Sequence, residues 1–365
     1  MAVRVMKFVQ IPNINDAWDK VEMKTLSPSV FSKISKGCKY QALLQKALQA
    51  INNRACSLPS PKNAILGTII HKIYELTSNG ELETYQDMTS KWEELIQKQV
   101  KTLTDRYPTL NTLDINDYDK RNKAIRYALT LSRVGTSQSY DSGNVAISSE
   151  KRLDCSDIGL LGSVDKLVVD NGEIDIIDYK SGAVTDDCGN IKEDYIIQLH
   201  LYAAMCCHKR LGSIRSLKLI DINGTILNVP YDPNLSNQLL GKVKDQLSIL
   251  QSALTTRDFS GLVESDNDTC SLCSCRHICD YQVSSNDATY RTISGYVESS
   301  PNPNIYIIRN GASRYCISGI EQYEIDNPDY YIGKRLVFVN ISRASSVADD
   351  YTFKITGNTL VYELL

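Results

Sequence analysis

GLLGSVDKLVVDNGEIDIIDYKSG, residues 159–182, is the most informative segment of the chain. Two short β-type runs are separated by Asn171-Gly172, a dipeptide typical of a two-residue hairpin turn. Asp165 lies in the first run, and Asp178 and Lys180 end the second. Because hairpin strands lie side by side, we expect both carboxylates at one end of a sheet. Side chains alternate along a strand, which places Asp178 and Lys180 on one face.

This arrangement suits metal-assisted hydrolysis of phosphodiesters. Two carboxylates hold Mg²⁺ or Mn²⁺ through oxygen ligands, and a nearby ammonium group orients the nucleophile or balances charge. A bare Asp-x-Lys triplet is more often a solvated hairpin edge. Here the triplet follows the run Ile174-Asp175-Ile176-Ile177, so it ends a strand that we expect to be buried. An unpaired buried charge is costly, and a metal ion compensates for it.

Length and composition narrow the class of protein. A chain of 365 residues with 42% apolar residues predicts one large domain and a small one. The net charge of −3 argues weakly against an extended basic surface, although it says nothing about local patches. No apolar run is long enough to span a bilayer, and residues 1–16 lack a signal-peptide pattern. We expect a cytoplasmic protein that does not bind membranes.

The periodicity changes along the chain. Helical spacing predicts helices at 25–50, 64–77, 192–211 and 234–255, and a helical insertion at about 87–134. Short strands begin at Ala146, and five more follow the linker-like stretch 282–289. We expect an α/β fold with a mixed sheet flanked by helices in residues 1–282. Residues 290–365 are predicted to form a small all-β, OB-like barrel.

Two flanking helices carry further candidates. His71 lies on the apolar helix 64–77, one turn after Gly67, where a lone histidine is more often a satisfied, partly buried side chain. Gln198 and Tyr202 are four residues apart on one helix face, in reach of a phosphate backbone or of the lysine. An ordinary amphipathic helix gives the same pattern. Glu150, on the first strand, is a further acid that we place near the site.

The ordered set GTIIH, GSVD, DYKSG and QLHLY resembles the RecB/AddB-type nuclease family of the PD-(D/E)XK class. That family includes the CRISPR spacer-acquisition nuclease and the Okazaki-processing nuclease–helicase. The resemblance covers residues 25–282. It implies that His71, Asp165 and Asp178 are metal ligands and that Lys180 is the catalytic lysine. Gln198 and Tyr202 would support the site and bind the DNA.

Four of the eleven cysteines are packed into ten residues, Cys270, Cys273, Cys275 and Cys279. In a reducing compartment such a cluster indicates metal. Iron–sulfur members of the family carry a lone N-terminal cysteine, here Cys38, and close with C-x2-C-x5-C, which implies a [4Fe–4S] cluster on Cys38, Cys270, Cys273 and Cys279. A local zinc site that uses Cys275 or His277 is the alternative.

The leading hypothesis is an Mg²⁺- or Mn²⁺-dependent deoxyribonuclease, an exonuclease-like enzyme of DNA repair, recombination or defence. Its DNA would be single-stranded or have free ends. The C-terminal module would either stack a strand on Tyr306, Tyr315, Phe338 and Arg309, or serve as a packing or partner-docking domain. No G-x-x-x-x-G-K-[ST] motif is present, so unwinding would require a helicase or ATPase partner. The alternative functions are a catalytically silent structural subunit of a helicase or defence complex, and a redox sensor built on the cysteines.

Overall fold

The computed structural model describes residues 7–110, 114–137, 145–264, 267–283, 291–344 and 351–365. Two sheets, of five and eight strands, form the framework, and the five-stranded sheet is contacted by the helices Pro28–Ile34, Lys62–Ser78 and Glu193–His208. The fold is therefore mixed α/β, as the sequence predicts. Within these segments, no helix combines the length and the apolar character that crossing a membrane requires.

Among the described residues there are nine α-helices, and the apolar spacing predicts the first seven of them. They are α1 (Pro28–Ile34), α2 (Tyr40–Ile51), α3 (Lys62–Ser78), α4 (Tyr85–Arg106), α5 (Tyr118–Ser137), α6 (Glu193–His208), α7 (Pro233–Thr256), α8 (Asn267–Leu272) and α9 (Asp280–Val283). The predicted helix at 25–50 is divided into α1 and α2. The predicted insertion at 87–134 is the pair α4 and α5. At the start of α1, Oγ of Ser27 accepts a hydrogen bond from the backbone N of Val30, which caps the helix.

The first sheet contains β2 (Val145–Cys155), β3 (Leu160–Asp170), β4 (Glu173–Lys180), β5 (Ser213–Asp221) and β6 (Ile226–Val229), in that spatial order. The hairpin β3–β4 is present, and Asn171 and Gly172 both adopt positive φ at its turn, 49° and 80°. A two-residue hairpin turn requires such angles. β5 runs parallel to β4, and the crossover between them contains α6.

The second sheet has the strand order β1-β13-β10-β7-β8-β9-β12-β11. Its strands are β1 (Val9–Ile11), β7 (Thr292–Asn302), β8 (Ile305–Asn310), β9 (Ser313–Ser318), β10 (Arg335–Val339), β11 (Ser342–Arg343), β12 (Thr352–Lys354) and β13 (Leu360–Leu364). β1 pairs in parallel with β13, so the start of the chain contributes a strand to this sheet. The sequence-based division at residue 282 does not predict that a strand from residues 1–282 joins this sheet. The predicted linker, 282–289, lies outside the described residues from 284 onward.

We call the second sheet, with its connecting turns, the second module. One face of it packs on the helices, where Val337 and Tyr362 join the same buried cluster as the first sheet. The other face encloses a separate core that contains Tyr306, Tyr315 and Phe338. These three side chains are at most 2% exposed. The prediction that they stack on a DNA strand is therefore wrong, because strand alternation turns them into the interior.

Candidate active site

β3 and β4 separate at the end of the sheet where the candidate catalytic residues lie. Their ladder ends at the pair Lys166 and Ile177. Beyond this pair, Oδ2 of Asp165 accepts a hydrogen bond from the backbone N of Tyr179 at 2.7 Å. Nε2 of His71 donates to the carbonyl oxygen of Tyr179 at 2.9 Å. Site side chains thus bind the backbone groups that β3 no longer pairs.

His71 reaches this point because α3 passes close to the end of β4. Gly67 permits the approach, since a Cβ there would stand 3.0 Å from Oγ of Ser181. Nδ1 of His71 lies 3.4 Å from Oδ1 of Asp165. Burial lowers the pKa of this histidine, but the hydrogen bond and charge of Asp165 and further site carboxylates raise it to about 9 overall. A metal ion at this nitrogen would displace the proton.

Lys180 is held from three sides. Its Nζ lies 2.6 Å from Oδ2 of Asp178 and donates a hydrogen bond to Oε1 of Gln198 at 2.9 Å. The ring centroid of Tyr195 lies 4.5 Å from the same nitrogen. Asp178 and Lys180 share a face, as the alternation predicts. An ammonium group has three N–H donors, so these two polar contacts leave one donor for a substrate.

Asp178 is a deeply buried acid, with a side chain only 3% exposed. Burial raises its pKa and the charge of Asp165 raises it further. Lys180 and His71 act in the opposite direction, and the result is a pKa of about 6. The charge of this carboxylate therefore depends on its cationic neighbours.

Gln198 and Tyr202 connect α6 to the lysine. Both side chains are buried, at 8% and 5% exposed. Tyr202 is hydrogen-bonded to Gln198, which accepts from Lys180. Gly162 of β3 makes room for this contact, since a Cβ there would lie 3.2 Å from the ring of Tyr202 and 2.9 Å from Pro28. In this structure Gln198 contacts Lys180, and the binding of DNA by this pair stays a prediction.

His71, Glu150 and Asp165 form a group of candidate metal ligands. One ligand atom from each lies within 4.8 Å of the other two. Glu150 has a φ of 49°, and the pairing of β2 with β3 is missing at this residue although the register is the same on both sides of it. Positive φ is uncommon for a non-glycine residue and is often found at functional sites. Two carboxylates and an imidazole suit a divalent ion such as Mn²⁺ or Mg²⁺.

Asp178, which the family resemblance implies as a ligand, is not a member of this group within the described residues. Its carboxylate faces Lys180 instead. Glu150 occupies the position of the third donor. Burial raises the pKa of Glu150, and the charge of Asp165 raises it further, so a cation at the site would lower the cost of both charges.

Cys38, Cys270, Cys273 and Cys279 line one cavity. Cys38 lies on the connection between α1 and α2, whereas the others lie near α8 and α9. The cavity wall also contains several apolar or aromatic side chains, among them Tyr40, Leu44, Val263 and Tyr281. The fold thus brings the four predicted cluster ligands together across more than two hundred residues of chain.

Of the two alternative local ligands, Cys275 lies beside the cavity, with its thiol hydrogen-bonded to that of Cys273, whereas His277 points away from it. Cys275 is fully buried, and its Sγ lies 4.0 Å from the carbonyl oxygen of Gln41. Nε2 of His277 donates to the carbonyl oxygen of Cys56 at 2.7 Å, and its ring packs on Tyr362 at a centroid distance of 5.1 Å. Neither Cys275 nor His277 lines the cavity.

The acids, the lysine and the histidine thus meet at the end of a β-hairpin between two helices, and a family model that matches the sequence describes the same region. The PD-(D/E)XK nuclease superfamily model matches residues 25–280. The chain belongs to this superfamily. The matched segment of the nuclease includes the hairpin, both flanking helices and the four clustered cysteines, and it ends before β7. None of the curated proteins matches the chain.

A solved structure from Eubacterium rectale, named "Putative exonuclease", is similar to this PD-(D/E)XK nuclease. The two sequences are 14% identical, and the match covers 71% of this chain and 87% of that chain with a TM-score of 0.36. The assignment to the superfamily rests on the family model.

Sequence reasoning missed one member of the site and underrated another. Tyr195 contacts Lys180 from one turn before Gln198 on the same helix face. The i, i+3 spacing of Tyr195 and Gln198 is the signal that would have indicated it. Glu150 is recognised as a candidate ligand only from the structure, where its pairing with β3 is interrupted. No local sequence pattern predicts that interruption.

Proposed function

We propose that this nuclease is a metal-dependent deoxyribonuclease of the RecB/AddB type that acts on single-stranded DNA or on DNA with free ends. The observation that carries the proposal is the position of Lys180. It lies between Asp178 and Gln198, at the same end of the hairpin as the ligand group His71, Glu150 and Asp165. A silent structural subunit would have no use for this combination of charges.

Each side chain has a distinct role in the proposed reaction. His71, Glu150 and Asp165 would hold Mg²⁺ or Mn²⁺, which supplies Lewis-acid polarisation of the phosphodiester and a more acidic water. Asp178 and Gln198 fix the ammonium group of Lys180. Its remaining N–H donor would orient the attacking water or bind a phosphate oxygen. Attack on phosphorus would leave a 5′-phosphate and a 3′-hydroxyl.

Degradation of end-labelled single- and double-stranded DNA with Mg²⁺ or Mn²⁺, using protein purified without oxygen, tests the proposal. We expect cleavage that requires the metal and is lost in Lys180→Ala. Lys151→Ala, which removes an exposed lysine from β2, is the control and should retain activity. No cleavage by folded wild-type protein, or equal cleavage by Lys180→Ala, would contradict the proposal.

We further propose that Cys38, Cys270, Cys273 and Cys279 bind a [4Fe–4S] cluster, which would join the N-terminal helices to the segment after α7. Four sulfurs around one zinc ion would stand about 3.8 Å apart, from Zn–S bonds of about 2.3 Å. Among the described residues, no three cysteine sulfurs lie within 4.8 Å of one another. The wider spacing supports a cluster of several iron atoms over a single zinc ion.

Iron, sulfide and zinc content of anaerobically purified protein tests the cluster. We expect iron and sulfide in the wild type and their loss in Cys38→Ser. Cys275→Ser is the matched control and should keep both, because Cys275 does not line the cavity. Zinc in place of iron, or loss of metal in Cys275→Ser only, would favour the local zinc site.

The strand pairings of the second module support the predicted OB-like barrel. They lead from β7 through β8, β9 and β12 to β11. β11 follows β10 after two residues, and β10 pairs back to β7. OB folds are five-stranded, partly open barrels that bind oligonucleotides on an outer face. We therefore propose that this module is OB-like.

A further inference from the structure

Four side chains form a row across four strands of the second module. Arg335 of β10 is opposite Tyr296 of β7, Tyr296 is opposite Arg309 of β8, and Arg309 is opposite Arg314 of β9. Directly opposed residues of antiparallel strands point to the same face of a sheet. Neighbouring strands are about 4.8 Å apart, so the row is about 14 Å long. We call it the arginine row.

The arginine row lies on the outside of the second module, beside its contact with the helices. Tyr296 is 57% exposed, and the side chains of Arg309 and Arg314 are 49% and 59% exposed. Ser294 and Val337 are the next residues on the same face of β7 and β10, and both are buried. The arginine row therefore lies at the edge of the contact between the second module and the helices.

The exposed end of the row has excess positive charge. Glu298 accepts hydrogen bonds from Nη2 of Arg309 and, at 2.7 Å, from Nε of Arg314. Two guanidinium groups share this one carboxylate, so together the three groups carry a charge of +1. At the inner end Arg335 is near Asp280: burial raises the pKa of that carboxyl, and the charge of Arg335 lowers it. The whole chain has a net charge of −3, so this is a local basic surface.

Glu298 also fixes the orientation of the two arginines. It binds Arg309 through one terminal nitrogen and Arg314 through Nε. A guanidinium group has five N–H donors, so most of the donors of each group remain for an anion. Two guanidinium groups held side by side, next to an exposed aromatic ring, combine the features that single-stranded nucleic acids require. These are cationic contacts for the phosphates and a flat ring for a base.

We propose that the arginine row binds single-stranded DNA. A base stacks on Tyr296, and Arg309 and Arg314 contact the phosphates that flank it. The inference deepens the proposed function, because it names the surface that would hold the substrate of the same nuclease. A single strand fits better than a duplex, since only an unpaired base exposes its face to a ring. Duplex readers insert a helix or a β-ribbon into a groove instead.

Binding of a fluorescently labelled oligo(dT) strand, measured by anisotropy at several salt concentrations without divalent metal, tests the proposal. Each phosphate contact contributes a slope of about 0.7 to the dependence of log affinity on log salt for single strands. We expect Arg309→Ala/Arg314→Ala to reduce the slope by about 1.4. Tyr296→Ala should weaken binding by about 5- to 100-fold with little change in slope, because stacking is not ionic.

Two control variants separate charge from structure. Glu298→Gln breaks the same ion pairs as the double arginine variant but keeps both guanidinium groups, so it should bind as tightly as the wild type or more tightly. Arg257→Ala removes an exposed arginine that is ion-paired to Asp19 in the nuclease core, and it should not alter binding. Weaker binding by Glu298→Gln, equal to that of the double arginine variant, would show that the loss comes from the broken ion pairs and not from the missing positive charge, which would contradict the proposal.

Unchanged affinity and salt slope in both the double arginine variant and Tyr296→Ala would overturn the proposal. The module would then serve another partner, such as a protein. This result differs from failure of the proposed function. Protein that binds oligo(dT) through the row but cleaves no DNA rejects the nuclease reaction alone. Protein that cleaves DNA while all variants bind equally rejects the row alone.

Discussion

The ring of Tyr195 is the neighbour of Lys180 that offers no hydrogen bond to it. A cation–π contact contributes about 0.5–2 kcal/mol, so we expect Tyr195→Leu to reduce kcat by about 2- to 30-fold. Tyr195→Phe keeps the ring and should retain wild-type activity. Initial rates on labelled DNA at saturating substrate measure both. Equal losses in the two variants would show that the hydroxyl group, and not the ring, matters.

At the level of single residues, the sequence predicted which side chains the hairpin brings together, whereas the set of metal ligands stays a prediction. Alternation along one strand is sufficient to place Asp178 beside Lys180. For His71 and Gln198 only the family resemblance favoured a functional role, because helical periodicity does not distinguish a functional polar residue from a satisfied core residue. The position of Glu150 depends on a gap in the pairing of β2 with β3, which is determined by tertiary structure.

Asp175 offers a test of electrostatics away from the site. Oδ1 and Oδ2 accept hydrogen bonds from Arg215 at 3.0 and 2.7 Å, and Oδ1 accepts another from Ser216 at 2.6 Å. The bonds to Arg215 outweigh the raising effect of burial and hold the pKa of Asp175 at about 2, below the ordinary 3.8. The folded state therefore favours the charged form. Its contribution is complete above about pH 4 and is lost as the pH falls through about 2.

We expect Asp175→Asn to lower the free energy of unfolding by about 1.5–3 kcal/mol at pH 7, since hydrogen bonds to charged groups have this strength. The difference from the wild type should shrink between pH 4 and pH 2. Urea unfolding at both ends of that range measures it. Asp170→Asn removes a more exposed partner of Arg215 and should cost less than about 1 kcal/mol. A constant difference at all pH values would contradict the assignment.

Among the secondary-structure elements, the approach of α1 and α6 to β3 depends on Gly162. A Cβ at this position would collide with the Pro28 ring and the Tyr202 ring. We expect Gly162→Ala to destabilise the protein by about 1–3 kcal/mol, the usual cost of overpacking. Activity should fall as well, because Tyr202 supports Gln198. Gly241→Ala, in open space on α7, is the control and should stabilise by about 0.5–1 kcal/mol. Thermal unfolding of both variants gives the comparison.

The sequence predicted most of these elements because each carries its own periodicity. Helices such as α3 and α7 show a continuous apolar side, and the β3–β4 hairpin has its turn dipeptide. β1 has three residues, which is too short for a pattern, and its partner is at the opposite end of the sequence. The parallel pairing of β9 with β12 is equally invisible locally, because parallel neighbours are joined by long connections.

For the whole molecule, residues 8–11 couple the two cores. Ile11 is buried in the core of the first sheet, whereas Phe8 belongs to the core of the second module. The Phe8 ring lies 4.7 Å from that of Tyr331, and its backbone N donates to the hydroxyl of Tyr331 at 2.9 Å. We expect deletion of residues 1–11 to divide one cooperative unfolding transition into two.

Calorimetry of the deletion variant measures this coupling. Gln10→Ala is the control, since the Gln10 side chain only donates a hydrogen bond to Glu363 at the sheet surface. It should retain a single transition. One transition in the deletion variant would show that the contact of β10 and β13 with the helices couples the cores without β1.

The pairing of β1 with β13 also bears on how the protein is made. Gln10 and Glu363 are neighbours although they are 353 positions apart. Chains fold from the N-terminus during synthesis, at about 5–20 residues per second. The segment that becomes β1 is therefore synthesised tens of seconds before its partner strand, β13. A messenger cut short, or a stalled ribosome, yields a polypeptide in which this segment has nothing to pair with. Pairing of β1 therefore requires that translation has passed β13.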